Sequence, residues 1–164
     1  MGEKMDKTLA RWLAGSALGM SLAFPGTHSD TAVYRTYSRW EPDGILAAWV
    51  IHRFVDPEAA FEAVPKGTKI EKGFSINTSR SVLKRTGRET AYEKALRYYH
   101  LKGDSCDRIF LPMIRVLELA PWKKTRSPEL MTFEEALRHQ VAKGGMSAAF
   151  SFLQSYCHQK REGK

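Results

Sequence analysis

Four basic side chains, Arg80, Lys84, Arg85 and Arg88, fall within nine residues, and a further pair, His52-Arg53, sits in an otherwise apolar stretch. Guanidinium groups present several N–H donors in a fixed fork, which suits small oxyanions. One reading lets His52, Arg53, Arg85 and Arg88 converge on such an anion, with the imidazole tuning the pocket by pH. The other gives Arg53 a carboxylate partner, which Asp56, Glu58 or Glu93 could supply.

Other chemistries have weaker support. The five histidines make no HxxxH and the two cysteines no CxxC, so zinc spacings are absent and no metal or cofactor is expected. Gly103-Asp104-Ser105-Cys106-Asp107 superficially resembles a nucleophile turn but lacks the G-x-S-x-G pattern, and its Asp and Ser are helix-capping residues. An enzyme of the reductase or hydrolase class would use Cys106, or the carboxylates Asp56 and Glu93. A nucleic-acid module would want a longer basic stripe interleaved with aromatics, for which Trp40, Tyr34, Tyr37 and Lys123-Lys124 are the available pieces.

Alternating Val33 to Ser38 reads as a strand, and Ala60–Val64 as a second. Between them Ile45, Leu46, Trp49, Val50 and Phe54 recur at helical spacing, so 43–55 is a mostly buried helix opened by Pro42 and ended by Asp56-Pro57. Segments 73–77 and 81–85 are further strand candidates. Thr90-Ala91-Tyr92-Glu93 has capping-box spacing and starts a helix to about Tyr99. Asp104 or Ser105 caps the next helix, which carries Ile109, Phe110, Met113, Ile114 and Leu117 and stops at Pro121. Ser127-Pro128 opens another, Gly144-Gly145 interrupts it, and the last helix runs from Met146 to His158. Strands come first and helices later, which makes the fold class α+β: short strands in the N-terminal half, with helices packing over them and dominating the C-terminal half.

The 164 residues carry 26 Lys plus Arg against 18 Asp plus Glu, a formal charge of +8. Residues 1–30 hold three of each sign, 31–100 twelve basic and eight acidic, and 101–164 eleven and seven, so the excess belongs to the folded part. Such a surface attracts anions. A hydrophobic content of 43% excludes a disordered chain. Lys4, Lys7 and Arg11 precede the apolar run Trp12–Ala23, the layout of a secretory signal, with small residues at Ser21 and Ala23. The expectation is a leader over 1–29, a single domain over 30–164, export to the periplasm and no membrane span after processing. An oxidising compartment would allow Cys106 and Cys157 to pair, closing a loop worth ~4 kcal/mol, or they stand as two unpaired thiols.

Asp43-Gly44-Ile45-Leu46-Ala47-Ala48-Trp49-Val50-Ile51-His52-Arg53-Phe54-Val55-Asp56-Pro57-Glu58-Ala59-Ala60-Phe61 resembles the signature of the ChrB-like chromate-resistance domain. That signature runs Asp, basic, Ile or Val, Ala, two small residues, Trp-Leu-Ile-x-Arg-Phe-Ile-Asp-Pro, then an acidic residue and an aromatic. Gly87-Arg88-Glu89-Thr90-Ala91-Tyr92-Glu93 is similar to the family's Gly-acidic-x-x-Thr-Phe-Glu. The resemblance covers about residues 33–157. It retains Asp43, Trp49, Arg53, Asp56 and Glu93. It departs where the family's His two residues before the glycine is Arg85, where its acidic residue or Asn after the glycine is Arg88, and where its basic residue after the opening Asp is Gly44. The resemblance implies a part in the response to chromate or a related oxyanion, in an exported branch of the family rather than its DNA-binding regulator. A small anion is then the expected partner and nucleic acid is not.

Overall fold

The computed structural model describes residues 31–70 and 74–163. The expected leader over 1–29, and Gly73 of the third strand candidate, lie outside the described residues. Strand β1 (Val33–Tyr37) buries Tyr34 and Thr36 on one face, the period-two pattern of a half-covered strand. It pairs in parallel with β2 (Ala60–Val64), in the register Val33↔Ala60 to Tyr37↔Val64. A parallel pair needs a crossover, and helix α1 (Pro42–Phe54) supplies it.

Every residue of α1 from Pro42 to Ile51 is buried. A helix apolar on all sides must lie inside the molecule, and α1 is packed by α2 (Ala91–Tyr98), α3 (Ser105–Leu119) and α4 (Pro128–Glu162). Trp49 meets Phe110 of α3 edge to face, with ring centroids 5.4 Å apart, a favoured aromatic arrangement. Phe54 was expected on the buried stripe. It is 44% exposed, because the helix ends there and its ring turns up beneath Arg53. The fold is α+β, with two short parallel strands in the N-terminal half and helices dominating the rest.

The third and fourth strand candidates shrink to single bridges, Arg35 to Ser75 and Ile76 to Leu83. Asn77 adopts φ 55°, which turns the chain out of the extended region immediately after Ile76. The Ser81 hydroxyl then donates to Ser75 O and accepts from Leu83 N, taking groups a ladder would have used.

Helix starts follow their local chemistry. Thr90 and Glu93 form the full capping box of α2, and Asp104 with Asp107 forms that of α3. A 3-10 turn (Pro121–Arg126) joins α3 to α4. Within α4 the helix breaks at Gly144 and at Gly145, whose φ of 68° only glycine adopts readily. Cys106 and Cys157 are joined by a disulfide, with Cα atoms 5.4 Å apart, which ties the first turn of α3 to the far end of α4. No helix among the described residues is long and apolar enough to cross a membrane.

Candidate functional site

The basic residues expected to share one anion are held apart. Arg53, near the end of α1, donates from Nη2 to Asp104 Oδ2 at 2.7 Å. Its guanidinium carbon lies 4.2 Å from the Trp49 ring centroid and 4.3 Å from that of Phe54, so cation–π contact adds to the ion pair. Its partner is therefore none of Asp56, Glu58 or Glu93. Asp56 instead accepts from Glu58 N at 3.0 Å, closing the turn after α1.

Asp104 is the hub of this end. Oδ1 accepts from Cys106 N and Asp107 N at 2.8 and 3.1 Å. Burial opposes its charge, yet the Arg53 hydrogen bond and the backbone donors win, and the carboxyl is held below its ordinary pKa. Asp107 behaves oppositely: burial raises its pKa, against the Tyr92 hydroxyl and the Asp104 N–H that it accepts.

Arg85 pairs with Glu118 near the other end of α3. Asp104 and Glu118 are fourteen residues apart along a helix rising about 1.5 Å per residue, which places the two carboxylates on the order of 20 Å apart. Arg53 and Arg85 thus serve opposite ends of α3 and do not share a small ligand. Long basic side chains on buried elements reach the nearest carboxylates the tertiary fold provides. His52 stacks on Phe150, with centroids 5.0 Å apart, in a cleft with Phe61 and Met146.

Asp43 is wholly buried and accepts from Asn77 Nδ2 and from Ala91 N at 2.9 Å, so it caps α2 from the first turn of α1. Burial raises its pKa, with the Ala91 N–H and Arg85 opposing that shift. Glu93 Oε2 accepts from Thr90 N at 2.9 Å and Thr90 Oγ1 at 3.0 Å, and Oε1 pairs with Arg115 of α3. Trp49 is core. Cys106 holds no free thiol, and among the described residues Asp56 and Glu93 share no hydrogen-bond partner. Among the described residues no group of His, Cys, Asp or Glu gathers to hold a metal ion.

Arg88 is the exception among the expected binders. It lines an open depression of about 440 Å³ with Gly87, Arg115, Val116, Leu119, Ala120 and Lys123. Three cations face this space and its lining contains no carboxylate. Arg115 is held by Glu93, while Arg88 and Lys123 have no ion pair among the described residues. Unneutralised cations around a concave surface raise the local anion concentration. A second depression, of about 290 Å³, holds Arg39, Lys84 and Arg85, but Glu41 lines it as well and bonds Arg39 at 2.7 Å. Lys123 and Arg115 escape a linear reading because they join Arg88 only when α3 and its following turn fold back beside residues 87–88.

The family model described as ChrB, C-terminal domain, matches residues 34–153. The chain belongs to the ChrB C-terminal domain family. Comparison with curated proteins and with solved structures returned no match. Arg85 and Arg88, two of the positions where the sequence resemblance is expected to depart, have distinct surroundings. Arg85 is paired with Glu118, whereas Arg88 has no ion pair among the described residues and lines the basic depression.

Proposed function

We propose that this ChrB-family domain binds a small divalent oxyanion, chromate or a close analogue, in the depression formed by Arg88, Arg115 and Lys123, and does so without catalysis. The observation that carries the reading is one concavity lined by Arg88 and Lys123, which have no ion pair among the described residues, together with Arg115, which Glu93 holds from outside a lining that has no carboxylate. Arg88 and Lys123 contact the anion, and Glu93 acts as a positioning residue by holding Arg115. Family membership supports chromate as the member of the oxyanion class, since composition and geometry alone select only charge and size. Chromate and sulfate are both tetrahedral dianions, so a site of this type takes either.

The reading places the protein outside the cytoplasm, in the periplasm. The disulfide between Cys106 and Cys157 supports that placement, because such bonds persist in oxidising compartments. It also supports a binding role, since the oxidised domain offers no thiolate there to reduce the anion. Isothermal titration of the purified protein with chromate, and separately with sulfate, tests the reading. Saturable binding of both in the millimolar range or tighter is expected. An absence of heat and of protection against unfolding at millimolar anion would overturn it.

A further inference from the structure

Trp122 is 69% exposed, the most exposed of the large apolar side chains among the described residues. It stands in the Pro121–Arg126 turn, beside Lys123, Lys124 and Arg126. Lys124 is held by Glu134 at 2.6 Å, whereas Lys123 and Arg126 have no ion pair among the described residues. Lys123 reaches the depression that also holds Arg88 and Arg115. The turn is internally bonded, Lys123 N to Ala120 O at 2.8 Å and Ser127 N to Lys124 O at 2.9 Å, so the indole is presented by an ordered backbone.

We propose that this face docks on an anionic lipid bilayer, with Trp122 seated at headgroup level and Lys123, Arg126 and Arg88 against lipid phosphates. An indole is apolar in body and polar at its N–H, which is why tryptophan concentrates at membrane interfaces. Charge complementarity selects the anionic surface, at which each basic residue strengthens binding about fivefold. Binding of this kind is reversible, because one aromatic and a small basic patch fall well short of an inserted helix. A single-stranded nucleic acid is the competing polyanion, and it asks for successive exposed aromatics along a basic groove. Of the aromatics that would have served, Trp40 and Tyr34 are only 6% and 5% exposed, and Tyr37, half-buried, donates its hydroxyl to Thr68 O at 2.9 Å and lines the separate depression of Lys69 and Arg80, so none of the three extends the patch of Trp122. The disulfide also argues for a compartment where lipid surfaces, not nucleic acids, are the abundant polyanions.

The test uses the full chain with vesicles of phosphatidylcholine, with or without phosphatidylglycerol, carrying brominated acyl chains. The chain has four tryptophans, so the Trp122 signal is taken as the difference between wild type and Trp122→Phe. The expected result is a blue shift and quenching of that difference emission on anionic vesicles only, abolished by high salt. Lys123→Gln combined with Arg126→Gln should raise the lipid concentration needed by roughly 25-fold. No shift, an equal shift on neutral vesicles, or stronger quenching by a single-stranded oligonucleotide than by anionic vesicles would overturn the proposal. Trp122→Phe keeps all three cations of the depression, so a sulfate titration of that variant separates failure of docking from failure of oxyanion binding.

Discussion

Arg53 and Asp104 are 51 residues apart in the chain and 2.7 Å apart in space. The same carboxylate caps α3, so one side chain both starts that helix and fastens it to the end of α1. The two roles separate by substitution. Asp104→Asn keeps a good capping residue and loses the charge facing Arg53, while Asp104→Ala loses both. Urea denaturation should show the Asn variant destabilised, and the Ala variant worse by about a further 1 kcal/mol. Equal losses would mean that the cap contributes nothing beyond the pair.

The pH dependence follows from the same residue. Its folded pKa lies below the ordinary value of 3.8, so the folded state favours the ionised form. The stability it contributes is whole above the unfolded pKa and is lost as pH falls through the lower folded value. Glu41 and Glu134 act in the same sense: burial opposes ionisation, and Arg138, with Arg39 or Lys124, overcomes it. Asp43 and Asp107, whose pKa values burial raises, act in the opposite sense above the ordinary carboxylate range, so the loss of stability on acidification should come below about pH 4, and Asp104→Asn should flatten that limb in a series of urea titrations.

The capping boxes, the α1 stripe and the two strands are legible in the sequence because each is decided by residues within one or two turns of each other. Thr90 and Glu93 find one another whatever the tertiary fold does. The partner of Arg53 is not legible, since nothing local marks Asp104 over the nearer Asp56 or Glu58. The segments around Ser75 and Leu83 mislead for a related reason. Their composition suits strands, and only the turn at Asn77 and the Ser81 hydroxyl show that they do not extend. Arg88 was visible as a candidate, but its companions Arg115 and Lys123 are contributed by a later helix and turn.

Cys106 and Cys157 close a loop with a sequence separation of 51. In the chain-entropy model a loop of that size contributes about 4 kcal/mol. Replacing both by Ala, or reducing the protein, should lower the unfolding free energy by that order, read as a shift in the urea midpoint with and without reductant. Superimposable curves would show that the bond does not constrain the unfolded chain.

Gly145 holds φ 68° with ψ −159°, a region essentially reserved for glycine. Gly145→Ala should cost about 1–3 kcal/mol in thermal or chemical unfolding. Gly144→Ala should also destabilise, since an added Cβ would stand 2.8 Å from that of Ala148. Together these test whether the break in α4 is required to seat its second half, from Met146 onward, on the core.

The proposed oxyanion binding rests on the cations around the depression and not on the charge of the molecule as a whole. Titration calorimetry with chromate should compare the wild type with Arg88→Gln plus Lys123→Gln, and with Lys69→Gln plus Arg80→Gln in the separate depression of about 970 Å³. Both double variants remove two charges from exposed positions. At least tenfold weaker binding is expected in the first and wild-type binding in the second. Equal weakening in both, or none in the first, would contradict the proposed site.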